Sequence, residues 1–166
     1  MMTSLQQLFA QKSWANQELF AVLADVDASQ HAEALHAALR MLNHIYVVDR
    51  IFHAHLSQQA HGYTRSNTDD TPSLEALQFE QAELDAWFER YVAELSPEQA
   101  AERLHFQFTD GDAGCMSREE MLLHLITHGA YHRGNVGQML KAISVAPPRD
   151  LLTRFLHVSE PQRRQA

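Results

Sequence analysis

A chain of 166 residues is sized for one domain with a sizeable core, and its net charge of −8 argues against a nucleic-acid partner, whose phosphates demand a basic face. Its 45% hydrophobic and 20% charged residues are typical of a soluble globular protein, and no apolar run approaches the ~20 residues of a membrane span. The first residues lack the basic stretch and apolar core of a signal peptide, and the single cysteine, Cys115, allows no internal disulfide, so a reducing cytoplasm is the expected compartment.

Residues 4–24 read as helix one, with Leu5, Leu8, Phe9, Ala15, Leu19 and Leu23 on one stripe and Ser4 as a candidate cap. Trp14 lies beside that stripe and reads as core. Residues 32–57 read as helix two. Leu35, Leu39, Leu42, Tyr46, Phe52 and Leu56 step along one side, and Asp49 interrupts them. Inside the bundle this carboxylate needs a partner; at the stripe's edge it sits in water. His44, near mid-helix, is open between a packed histidine and a ligand. His53, His55 and His61 read as surface residues near the helix C-terminus, where the dipole suits them.

From residue 57 to residue 71 the pattern vanishes into a long polar loop. Fifteen extended residues could span about 50 Å, enough for a crossover between parallel helices. Thr71-Pro72 then reads as cap and first turn of helix three, whose stripe holds Leu74, Leu77, Gln81, Leu84, Phe88, Tyr91 and Leu95. Ser96-Pro97-Glu98-Gln99 starts a short helical turn. Leu104 to Met116 is the one strand-like passage, either a small hairpin around Asp110-Gly111 or an ordered loop. Cys115 within it reads as packed.

Ser117-Arg118-Glu119-Glu120 is a capping box that opens helix four, which runs to about Ile143. Three glycines, Gly129, Gly134 and Gly137, lie inside it. Each costs about 1 kcal/mol relative to Ala, so each implies close packing or room around a site. Pro147-Pro148 stops the helix, and residues 149–156 form a short terminal segment able to cover one end of the bundle.

Helix four also carries His124-Leu-Ile-Thr-His128-Gly-Ala-Tyr-His132-Arg133. With 11 histidines in the chain, random placement gives about 0.7 pairs at a spacing of four, so two overlapping pairs on one helix carry weight. Residues four apart stack on one helical face, and two such imidazoles can close on one ion. The motif His-Glu-x-x-His is absent, which argues against a zincin-type protease. Arg133 turns about 100° away from His132 and reads as structural, with Asp49 or Asp150 as its bidentate partner.

Taken in order, Trp14-Ala15-Asn16, Leu42-Asn43-His44-Ile45 with Asp49-Arg50, the helix-four run from His124 to Gly134, and Pro147-Pro148-Arg149-Asp150-Leu151 resemble the DinB family, the DinB/YfiT-like metalloenzymes. The likeness covers nearly the whole chain. Asn135 stands where the family often has Gln after Arg-Gly. The resemblance implies an all-α fold: one domain over residues 1–166, a four-helix bundle in up-down-down-up order, with a long crossover between helices two and three. It implies a metal site with His44, His128 and His132 as ligands and His124 as a neighbour on the column. It assigns no further catalytic residue.

Three neutral imidazoles would leave a divalent ion at least one open position, and no carboxylate would offset its charge. Zinc and nickel are the first expectations for the ion and iron the next. The leading expectation for function is a metal-dependent enzyme, a transferase or isomerase using a low-molecular-weight thiol such as bacillithiol or mycothiol. The alternatives are a hydrolase working through bound hydroxide and a non-catalytic metal-binding stress protein. The partners expected are a small-molecule substrate or thiol and a second copy of the chain. Relatives are commonly dimeric, and Trp87 beside Leu84, Phe88 and Tyr91 gives helix three more aromatic surface than one face buries. Neither nucleic acid nor membrane is expected.

Overall fold

The computed structural model describes residues 2–165. Four long helices dominate it: α1 (Ser4–Ala24), α2 (Ala28–Leu56), α3 (Leu74–Glu94) and α5 (Arg118–Ala142). Between α3 and α5 lie a one-turn helix, α4 (Pro97–Ala101), and two strands, β1 (Arg103–Gln107) and β2 (Ala113–Ser117). The chain closes with α6 (Leu152–Ser159) and a 3-10 turn over Pro161–Arg164. The helix four of the sequence reading is α5.

The caps explain the helix starts. Thr3, one residue before the expected Ser4, caps α1 in a capping box with Gln6. Ser73 caps α3 in place of Thr71, so Pro72 precedes the helix. Ser117 caps α5 through Glu120, as the sequence indicates. Helix α2 begins at Ala28, earlier than expected, but His31 has φ −127° and ψ 31°. The regular helix follows this kink, which is where the apolar periodicity begins.

The purely helical expectation needs one correction. Strands β1 and β2 pair antiparallel, Leu104 opposite Met116 and Phe106 opposite Gly114. Gly111 has φ +97°, a backbone conformation that only glycine adopts freely, and it lets the chain reverse within residues 108–112. Alternation puts Phe106 against Phe52 and His55. Cys115, expected to be packed, is exposed and faces His105 across the ladder, Sγ to Nε2 4.0 Å.

The long helices pack α1 on α3 and α5, and α2 on α3 and α5. Their core forms two clusters. One joins Phe9 of α1 and Met121, Leu122 and Leu125 of α5 to Val47–Leu56 of α2 and Leu84–Val92 of α3. The other joins Leu19–Leu23 of α1 and Val136–Leu140 of α5 to Ala38–Ile45 of α2 and Leu77 of α3. Segment 57–73 is irregular, as its composition requires, and links α2 to α3. Trp14 is only half-buried and packs on Phe155 of α6.

Between the two apolar clusters lies a layer of buried charge. Lys12 of α1 donates to Asp49 Oδ2 and Asp85 Oδ1, both at 2.7 Å, and is 1% exposed. Gln81 of α3 donates to the same two carboxylates at 3.1 and 3.0 Å, and Asn16 donates to Asp85 at 2.7 Å. Burial opposes the charge on Lys12, but the adjacent Asp49 and Asp85 outweigh it and hold its pKa above the ordinary lysine value. Burial pushes the Asp49 carboxyl up against the pull of Lys12. Asp49 is therefore inside, not at the stripe's edge, and its cation is Lys12, which the sequence reading did not single out. Arg133 bonds Asp150 at 2.7 Å and Asn16 at 3.3 Å, so of its two expected partners the structure selects Asp150.

Candidate metal centre

Helix α5 places His128 and His132 one turn apart, and α2 packs against it with His44 facing both. Ring centroids lie 4.5 Å apart for His128 and His132, 4.9 Å for His44 and His128, and 4.7 Å for His44 and His132. One nitrogen from each ring lies within 4.8 Å of the other two, and all three residues are half-buried. His44 Nε2 and His128 Nε2 are 3.0 Å apart. Two ligands on a tetrahedral ion with bonds of about 2.0–2.1 Å stand about 3.3 Å apart, so this pair is near the required spacing.

The second nitrogens tell how each ring is held. His44 Nδ1 lies 2.7 Å from the Ser66 carbonyl oxygen. A carbonyl only accepts, so Nδ1 carries the proton and Nε2 presents its lone pair. That contact depends on the long loop. Asn43 donates to Asn67 Oδ1 and Thr68 Oγ1, Asn67 donates to the Arg40 carbonyl, and Arg40 donates to the Thr68 carbonyl. Sequence reading found Asn43 within the motif but had no signal for Ser66 or Asn67, which lie in a patternless polar segment. His132 Nδ1 lies 3.4 Å from the Asn135 amide. His128 Nδ1 is buried and has no partner among the described residues.

The electrostatics disfavour protonation of the two rings on α5. Burial, reinforced by His44 and His132, pushes the His128 pKa down to about 3. Burial and then His44 lower His132 as well. Neutral imidazoles with converging lone pairs are the form a metal ion needs, so the donor set fits a divalent cation, and these three residues could hold one. No carboxylate belongs to the group.

His124 stacks on His128 at 5.5 Å and on Phe52 at 4.9 Å, outside the group of three. The histidines read as surface residues are half-buried: His53 packs on Trp87 at 4.2 Å, and His55 on His61 at 5.1 Å. A cavity of about 240 Å³ lies on the other side of α5, lined by Ala15, Leu19, Gly134, Gly137 and Pro147, and does not reach the histidines. Of the three helix glycines, Gly129 and Gly137 are tightly approached. A Cβ at Gly129 would stand 3.0 Å from Arg133 Nη1, and one at Gly137 3.4 Å from Pro147, whereas Gly134 faces open space.

Comparison with known proteins agrees with the sequence resemblance. The chain is 26% identical over 152 residues to the protein named DinB of Bacillus subtilis (strain 168), covering 84% of this chain and 86% of that one. Its fold matches the crystal structure of a DinB-like protein from Bacillus cereus ATCC 10987 with a TM-score of 0.65, covering 87% of this chain and 93% of that one at 15% identity. A model of the DinB family matches residues 1–164, and the chain therefore belongs to the DinB family.

Proposed function

We propose that this chain is a metal-dependent enzyme in which His44, His128 and His132 bind one divalent ion, zinc or nickel ahead of iron. The observation that carries the reading is the convergence of three imidazoles from two helices with no carboxylate among them. Three ligands leave an open coordination position, as in catalytic rather than closed structural sites. The ion, when bound, would supply Lewis acidity toward a low-molecular-weight thiol, which makes thiol transfer or isomerisation the favoured reaction class. The protein's own part is to hold the rings. The Ser66 carbonyl fixes the His44 tautomer, and the half-buried setting keeps His128 and His132 unprotonated.

The test is direct. Protein loaded with zinc, nickel or iron is assayed for bound metal, then screened with thiol-dependent transferase and isomerase substrates and with hydrolase substrates. Turnover only with a thiol supports the first reading. Turnover in water alone moves the assignment to a hydrolase, and metal binding without turnover moves it to a binding protein. Protein that takes up no metal at this site removes all three.

The finer description of the fold belongs to the same proposal: residues 1–166 as a single four-helix-bundle domain in up-down-down-up order. The two core clusters support it, since each joins the starts of α1 and α5 to the ends of α2 and α3, or the reverse. A homodimer through α3 is proposed on Trp87, stacked on Tyr91, and on Phe79, which is 69% exposed. A monomer mass by light scattering at micromolar concentration removes it. Among the described residues no helix is long and apolar enough to cross a membrane. We place the protein in the reducing cytoplasm, where exposed Cys115 stays a thiol.

A further inference from the structure

We propose that Asp49 is the residue that positions His128, its Oδ1 accepting a hydrogen bond from His128 Nδ1–H when an ion holds Nε2. This inference rests on the metal-binding reading above. Among the described residues three buried side-chain polar atoms have no partner: Asp49 Oδ1, His128 Nδ1 and His61 Nδ1. His61 lies by the hairpin, beside His55, Phe108 and Gly111. The other two belong to α2 and α5, the helices that form the histidine cluster. Their chemistry is complementary, an acceptor oxygen and a ring nitrogen that carries the proton whenever Nε2 gives its lone pair away.

The surroundings orient both groups. Asp49 Oδ2 is already engaged by Lys12 at 2.7 Å and Gln81 at 3.1 Å, which fixes the carboxylate plane and leaves Oδ1 as its free acceptor. His128 Nε2 is turned toward His44, which leaves Nδ1 directed into the bundle. Lys12 links the two sites. Its ammonium holds Asp49, and its Cε lies 3.6 Å from where a Cβ on Gly129, the residue after His128, would stand. One lysine between two aspartates leaves the layer one formal negative charge in excess, and the histidine cluster on α2 and α5 has no anionic ligand of its own. Metal-bound histidines almost always donate their second N–H to a carboxylate, a backbone carbonyl or water. His44 has the Ser66 carbonyl, and Asp49 is the group that serves His128.

The experiment measures Zn²⁺ affinity by competition with a chromogenic chelator on wild type, Asp49→Asn and Asp85→Asn, with circular dichroism to verify the fold. Asp85→Asn is the control, because it also removes a carboxylate from Lys12. Asp49→Asn is expected to weaken Zn²⁺ binding by about 10–100-fold, with Asp85→Asn close to wild type. Unchanged affinity in Asp49→Asn, or an equal loss in both variants, overturns the inference. Wild-type protein that binds no Zn²⁺ overturns the metal-centre reading itself, which is a distinguishable result. Should Asp49→Asn fail to fold, nitrogen-detected NMR of Zn²⁺-loaded wild type decides. A downfield, slowly exchanging His128 Nδ1 proton supports the bond, and a freely exchanging one overturns it.

Discussion

The charged layer around Lys12 and the histidine cluster around His44 are neighbours in one bundle, yet they treat buried polarity in opposite ways. In the layer, an ammonium, two carboxylates and two amides bond one another, leaving only Asp49 Oδ1 over, and Lys12 and Asp49 are almost wholly excluded from water. In the cluster, three rings each bring one nitrogen within 4.8 Å of the other two. The first arrangement ties α1, α2 and α3 together. The second is half-exposed and could hold a metal ion. Polar groups in a core are therefore not one category: some bond one another across helices, and others converge on a common point, as a binding site would require.

The comparison breaks most severely if Lys12 is removed. Lys12→Met keeps similar volume but leaves Asp49 and Asp85 facing each other without their cation. A loss of about 3–5 kcal/mol in urea unfolding is expected, the usual cost of stranding buried charge. A variant within about 1 kcal/mol of wild type would show that the layer is not held by its lysine.

The cluster should behave differently. His44→Ala is expected to lose metal while keeping its helical circular dichroism, because the core stripes do not depend on the ion. Its loss of stability should be confined to the binding term, about 2.7 kcal/mol when free metal is at 100 times Kd, and absent in metal-free buffer. Full metal occupancy in the variant removes His44 from the site. Unfolding without metal would make the cluster a structural one.

The smallest effects separate the glycines. Gly134→Ala meets open space and gains helix propensity, so thermal unfolding should show stabilisation of about 0.4–1 kcal/mol. Gly129→Ala should go the other way by about 1 kcal/mol or more, since its Cβ would press on an Arg133 already tied to Asp150 and Asn16. Equal responses would mean that Gly129 is not where the two regions touch.

Most of the helices were legible because apolar spacing and capping residues are local signals. The column of His124, His128 and His132 was legible for the same reason, but only the family resemblance chose His128 and His132 from it. His44 was not, since a lone histidine beside a stripe reads more readily as packed or half-exposed than as a ligand, and only the family resemblance singled it out. Lys12 was missed although a signal existed. It fills the gap between Phe9 and Ala15 in the stripe of α1, as Asp49 interrupts that of α2 and Gln81 that of α3. Each interruption alone reads as an edge residue. Their meaning lies in coinciding at one level of the bundle, which depends on how the helices are stacked. Ser66 was beyond reach, because its main-chain oxygen does the work and any residue supplies one.

His44 and His128 are separated by 84 positions in the chain. Bringing such distant points together in an unfolded polymer costs about 4 kcal/mol of entropy, and only the assembled bundle holds them there. Before that, an ion meets at most the local pair on α5, a weak and fraying grip. On the proposed ligand set, tight capture of metal would come only after the topology is complete, so an ion would discriminate finished molecules from unfinished ones.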